Sequence, residues 1–290
     1  MTIEQLFSRR HILFDGGTGT EYQKRGLPVG AAPEEWIFAN PDAVKDVHRA
    51  YVAAGSDVIE TCTFGATRDR MKLAGIQSSV ADLNKRAVEL AREAADGKAL
   101  VAGSVGPLGG ILEPYGDLAI DDAEKMFAEQ MNALVEAKVD IVLIETMLSL
   151  NEALVAVRAA KNAGAKIIGV TMTFEPTPDG PKTSFGESVR DVVTALESES
   201  ISFFGSNCGS GFELMRVVAN EFRAATKSPL LIQTNAGLPF MENGNNRYPE
   251  APQSFGGFAK ELADLGIQMI GGCCGTTPDH IAAAGNNIKQ

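Results

Sequence analysis

The feature that most constrains this chain is an alternation repeated eight times along it. A short apolar run of β character is followed by a longer amphipathic run. The β-type runs are 11–17 (HILFDGG), 56–64 (SDVIETCTF), 99–106 (ALVAGSVG), 140–147 (DIVLIETM), 166–174 (KIIGVTMTF), 203–209 (FFGSNCG), 230–237 (LLIQTNAG) and 267–274 (IQMIGGCC). Helical periodicity is clearest over 41–54, 80–95, 121–137, 150–163, 188–198, 212–226 and 254–265. Strands that are apolar at nearly every position suit a parallel sheet covered by helices. Eight β-then-α units within about 250 residues predict one α/β domain over 1–290, a closed (β/α)8 barrel. An open doubly wound sheet shares this periodicity, and only strand order separates the two.

Boundary signals agree with these elements. Pro41 stands at a first helical position. Gly55, Gly164 and Gly266 stop helices just ahead of strands. Asp121 is expected to cap the helix after it, with Glu124 completing a capping box.

The 290 residues are 44% hydrophobic and 22% charged, enough for a large core. The net charge of −11 argues against nucleic acid or an anionic membrane as the main partner. The first residues, MTIEQLFSRRHILFDGG, contain no signal-peptide apolar region, and no run of about 18 apolar residues occurs. A cytoplasmic protein is expected.

Polar and thiol residues gather at the C-terminal ends of the strands: Asp15, Glu60 to Cys62, Ser104, Glu145, Thr171 to Thr173, Asn207 with Cys208, Asn235, and Cys273 with Cys274. Barrel active sites are assembled at that end. Cys208 ends the sixth strand and Cys273–Cys274 the eighth, one neighbour apart in a barrel. Three thiolates with an open fourth position describe a catalytic zinc site, and soft sulfur donors favour zinc over magnesium or calcium. Buried structural cysteines are the competing reading. The zinc reading needs the sulfurs together, since a separation beyond about 7 Å is too large for bonds of about 2.3 Å to one ion. Zinc bound by three thiolates is a poor generator of hydroxide and better suited to deprotonating another thiol. Cys62 stands outside this set, as a packed or supporting thiol. His11, His48 and His280 are scattered and read as structural. Trp36 reads either as a cover for the mouth or as a loop anchor. The long loops 174–188 and 241–257 lie on the active face, where they serve as lids, donor contacts or passive crossovers.

DGGTGTEYQKRG (15–26), ETCTFGA (60–66), SVGPLG (104–109), IETM (144–147), GSNCGSG (205–211), QTNAGLP (233–239) and GGCCGTTPDHI (271–281) resemble the homocysteine S-methyltransferase family. The resemblance runs from about residue 11 to 285. That family includes betaine–homocysteine methyltransferases and the homocysteine module of cobalamin-dependent methionine synthase. The resemblance implies Cys208, Cys273 and Cys274 as Zn2+ ligands. It implies Asp15 and Glu145 on the amino group of homocysteine, and the amides of Gly16, Gly17 and Thr18 on its carboxylate. Asn235 is implied near the metal, occupying the fourth position when substrate is absent. The physical chemistry agrees: successive glycine-rich amides form an anion nest, and strand-end carboxylates suit an ammonium. One departure is Cys62, where many members carry Asn.

The implied reaction is methylation of homocysteine to methionine by a zinc-dependent methyltransferase. No cobalamin or folate module is evident within these 290 residues. The donor is therefore expected to be a small betaine-like ammonium or sulfonium. The alternative is a corrinoid or folate unit on a separate protein, as in a split cobalamin-dependent methionine synthase. A non-catalytic zinc- or thiol-binding module, or a different thiol or selenol acceptor, are the remaining readings.

Overall fold

The computed structural model describes residues 3–242 and 245–288. Its eight parallel strands are β1 (Ile12–Leu13), β2 (Val58–Glu60), β3 (Leu100–Val105), β4 (Ile141–Met147), β5 (Ile168–Met172), β6 (Phe203–Cys208), β7 (Leu230–Thr234) and β8 (Met269–Gly272). Hydrogen-bonded neighbours run β1-β8-β7-β6-β5-β4-β3-β2. The remaining seam is crossed by a parallel bridge from Phe14 to Val58, with the Asp57 amide donating to the Leu13 carbonyl at 2.7 Å. Strand order thus separates the two architectures, and the chain is a nearly closed (β/α)8 barrel.

Two apolar layers hold it. Inside the barrel, Ile12, Phe14, Val58, Leu100, Leu143, Phe203 and Leu231 form one buried cluster. The short helix Ile3–Phe7 plugs its lower end, Leu6 joining the cluster and the Phe7 ring lying 6.3 Å from that of Phe203. Outside, the covering helices bury one stripe each, as Val44, Val47 and Tyr51 do on Pro41–Ala53. Each such side chain removed from water contributes roughly 1.5–3 kcal/mol before entropy.

The helix after β3 departs from the expected start. It spans Ile120–Glu136 with Ala119 as N-cap and no side-chain cap bond, so Asp121 sits in its first turn. Its acidic side chain acts there on the helix dipole, not as a cap. A capping box does form at Ser188, whose hydroxyl accepts from the Asp191 amide while Asp191 accepts from the Ser188 amide. The helices Thr18–Lys24, Arg68–Leu73 and Pro278–Ile288, and the hairpin of Phe240–Glu242 with Asn245–Arg247, are further elements beyond those expected. Among the described residues no helix is long and apolar enough to cross a membrane.

Candidate metal centre and substrate cavity

Register places the three cysteines. Thr234 of β7 is the pairing partner of Cys208 on one side and of Gly272 on the other. Cys208 and Cys273 therefore leave their strands at nearly one level, flanking β7. Cys208 turns out of its strand through a left-handed conformation, φ 65°, an uncommon conformation for a side-chain-bearing residue that clusters at functional sites. The sulfurs of Cys208, Cys273 and Cys274 all lie within 4.8 Å of one another.

Close backbone approaches shape this rim. A Cβ on Gly17 would meet the Cys273 carbonyl at 2.6 Å. Gly275, at φ 80°, leaves room for the Tyr248 ring, which would stand 2.1 Å from a Cβ there. Tyr248 thereby stands beside Cys274, from the segment after the hairpin.

The electrostatics concentrate one negative charge on Cys208. Hydrogen bonds from Cys273 and Cys274 bring its thiol down to about 2. The same bonds push Cys273 well up and Cys274 up to about 12. Asn235 supports the thiolate, its Nδ2 donating to the Cys208 sulfur at 3.6 Å and to the Gly209 carbonyl at 2.7 Å. Asn235 Oδ1 is buried and has no partner. Three sulfur donors gathered within 4.8 Å of one another, with a buried oxygen beside them, fit a soft metal ion.

Beside the sulfurs opens a cavity of about 1030 Å³. Gly16, Gly17, Thr18, Glu60 and Glu145 line it together with the three cysteines. Asp15 and Asn235 lie one layer behind its wall. Gly17 is the N-cap of helix Thr18–Lys24 without a side-chain cap, so first-turn amides such as that of Thr18 are left over. The Gly17 amide itself donates to Thr276 Oγ1 at 3.0 Å. Glu145 is delivered by a bulge: the β4–β5 register shifts between Ile144 and Met147, with Thr146 at φ 58°. Asn207 clamps that bulge. Its Oδ1 accepts from the Thr146 amide at 2.8 Å, and its Nδ2 donates to Thr146 Oγ1 at 2.7 Å and to Glu145 at 3.3 Å. Asn207 is thus a positioning residue.

Burial pushes the carboxyls of Asp15 and Glu60 well above the usual carboxylate range, and that of Glu145 to about 7. Cys62 lines the cavity but lies outside the sulfur cluster, beside Tyr22, and burial pushes its thiol up. Trp36 packs on Tyr22 with ring centroids 6.0 Å apart and is absent from the cavity wall, so it anchors a loop. His48 is fully buried without partners, and His280 contacts the Glu250 carbonyl at 2.9 Å. Sequence reasoning named Glu60 only as a polar strand end and passed over Gln233, Tyr248 and Arg70. Glu60 and Gln233 stand inside the ETCTFGA and QTNAGLP motifs, whereas nothing local marks Tyr248.

Fold and site together define a (β/α)8 barrel carrying a three-cysteine cluster suited to a soft metal at its catalytic end. A family model described as homocysteine S-methyltransferase matches residues 12–288. The chain belongs to the homocysteine S-methyltransferase family. It is 29% identical to methionine synthase of Mycobacterium tuberculosis over 98% of its own length. It is 30% identical to that of Mycobacterium leprae over 96%. It spans only about a quarter of the length of these curated relatives, 25% and 24%. Among solved structures, the metallated homocysteine methyltransferase MmuM from Escherichia coli superposes with a TM-score of 0.83, at 23% identity over 99% of both chains. Its apo form gives 0.75 at 24% identity over 97% of both chains. At these identities the superpositions speak for the fold.

Proposed function

We propose that this chain is a zinc-dependent homocysteine S-methyltransferase that forms methionine. The observation that carries the reading is the meeting of three sulfurs within 4.8 Å at the wall of a cavity that also presents carboxylates and a glycine-rich turn. Cys208, Cys273 and Cys274 would hold the ion, and zinc so bound lowers the pKa of a substrate thiol, keeping it nucleophilic near neutral pH.

The remaining work falls to the chain itself. Glu145, with Asp15 behind it, receives the ammonium of the amino acid. Gly16 and the free first-turn amides at Thr18 receive its carboxylate, with Gly17 holding the turn against Thr276. Fixing both ends of the amino acid aims its sulfur at the cysteines, so that methyl transfer proceeds from a fixed geometry. Asn235 steadies the Cys208 sulfur and keeps a spare oxygen next to it.

The first donor reading is a small betaine-like ammonium or sulfonium. Glu34, Glu35, Asp69 and Glu145 line the cavity against one cation, Arg70, so the wall favours a cationic partner. Phe64, the aromatic ring of the wall, is already covered by the Arg70 guanidinium at 5.3 Å. The donor cation would therefore rest on carboxylates instead of an aromatic cage. A second reading, a methylated corrinoid or folate unit on a separate protein, is favoured by the apolar rim. Ile111, Tyr115, Leu148, Phe185, Leu238 and Phe240 are exposed on the loops that surround the mouth. A donor screen on zinc-loaded protein with homocysteine tests both. Methionine formation with an ammonium or sulfonium donor supports the first. Turnover only with a methylated corrinoid or folate protein replaces it with the second. Zinc binding without affinity for homocysteine contradicts both and points to a non-catalytic module.

A further inference from the structure

We propose that Glu60 is kept as a neutral carboxylic acid that donates a hydrogen bond to Glu145 and so positions Glu145 as an anion facing the substrate ammonium. This rests on the placement of that ammonium at Glu145.

Asp15, Glu60 and Glu145 come from the ends of β1, β2 and β4 and are only 0%, 9% and 7% exposed. Their side-chain partners are all uncharged donors. Asp15 Oδ2 accepts from the Glu60 amide at 2.9 Å, and Glu60 Oε1 accepts from Gln233 Nε2 at 2.7 Å. Glu145 accepts from the Ser104 hydroxyl and from Asn207 Nδ2. Among the described residues no cation pairs with any of the three, and Asp15 Oδ1 is buried without a partner. Three buried anions without a counter-charge are mutually repulsive, and such a group takes up protons instead.

Geometry says where one proton goes. The carboxyls of Glu60 and Glu145 stand within hydrogen-bonding reach of each other, and two carboxyls meet in that way only with a proton between them. Glu145 receives two side-chain donors, which favour its charged form. Glu60 receives one, at Oε1, which leaves Oε2 to carry the proton. The titratable groups facing Glu60 are Asp15, Glu145 and Tyr51. Burial and then the charges of Glu145 and Asp15 push Glu60 well up. The Tyr51 phenol is spent on the Thr276 carbonyl at 3.0 Å and supplies no proton to the group.

The test combines infrared difference spectroscopy of the substrate-free, metal-free protein with homocysteine kinetics of the zinc-loaded enzyme. At neutral pH the wild-type protein shows the carbonyl stretch of protonated carboxyls, and Glu60→Gln removes one component of it. Glu60→Ala raises the KM for homocysteine by about tenfold or more, and Glu60→Gln, which keeps a neutral donor, restores it to within about threefold. Glu145→Gln raises KM by about tenfold or more, because it removes the anion itself. The assignment is overturned if Glu60→Gln leaves the absorption unchanged, or if Glu145→Gln is the variant that removes the component and keeps KM. The infrared readout needs neither metal nor substrate. Loss of that component in a protein without homocysteine affinity would uphold the protonated Glu60 and remove the substrate reading alone.

Discussion

The sulfurs of Cys208, Cys273 and Cys274 act as one group, all within 4.8 Å of one another. Replacing any of the three by Ser removes a soft donor that oxygen does not match. Cys208→Ser, Cys273→Ser and Cys274→Ser should each lower zinc content, measured by elemental analysis, and reduce methionine formation by about 100-fold or more. Cys62→Ser should keep full zinc occupancy. Glu145 gives a pH signature. Its folded value of about 7 lies above the ordinary 4.5, so the native state holds this proton more tightly than the unfolded chain. That contribution to stability is complete below about pH 4.5 and disappears as pH rises through about 7. His48 acts with the opposite sign. Its value, lowered by burial to about 4, adds stability as pH rises from about 4 to 6.5. The difference in unfolding free energy between wild type and Glu145→Gln cancels the His48 term. It should fall by on the order of 1–3 kcal/mol from about pH 5 to pH 8 in denaturant titrations. A pH-independent difference would mean that Glu145 is ionised throughout.

At the scale of elements, the β4 bulge is the piece on which substrate geometry depends. Asn207 satisfies both the Thr146 amide and its hydroxyl while touching Glu145. Asn207→Ala leaves a buried amide unpaired, costing about 1–3 kcal/mol. It should also weaken homocysteine binding in calorimetry more than it weakens zinc binding. Equal loss of both would mean that Asn207 supports the whole rim. The eight strands were legible because a parallel barrel buries both faces of each strand and leaves continuous apolar runs. Cys208 and the Cys273–Cys274 pair were legible as strand ends, and parallel register then carries strand ends to one rim. Short helices such as Arg68–Leu73 and the hairpin at Phe240 gave too little periodicity to read. The helix after β3 was misread at its start because Asp121 and Glu124 match a capping pattern, yet the chain enters the helix two residues earlier, at Ala119. Glu60 was visible as a residue but not as a partner of Glu145, since that pairing depends on the bulge and on Gln233 from β7.

For the whole molecule, the barrel separates stability from chemistry. The lower end is closed by Leu6 and Phe7 against Phe203, and the reactive groups occupy the opposite end. Phe203→Ala should cost about 3–5 kcal/mol in unfolding free energy while leaving zinc stoichiometry intact in the folded fraction. The apolar rim and the acidic cavity wall make different demands on the donor, and the donor screen decides between them. The central claim is that the three cysteines form one centre with a place for the sulfur of homocysteine. Zinc-edge X-ray absorption of the loaded protein, with and without homocysteine, measures this directly. Three sulfur neighbours at about 2.3 Å should become four when homocysteine is added. Fewer than three sulfurs in the resting protein, or a count unchanged by homocysteine, would contradict it.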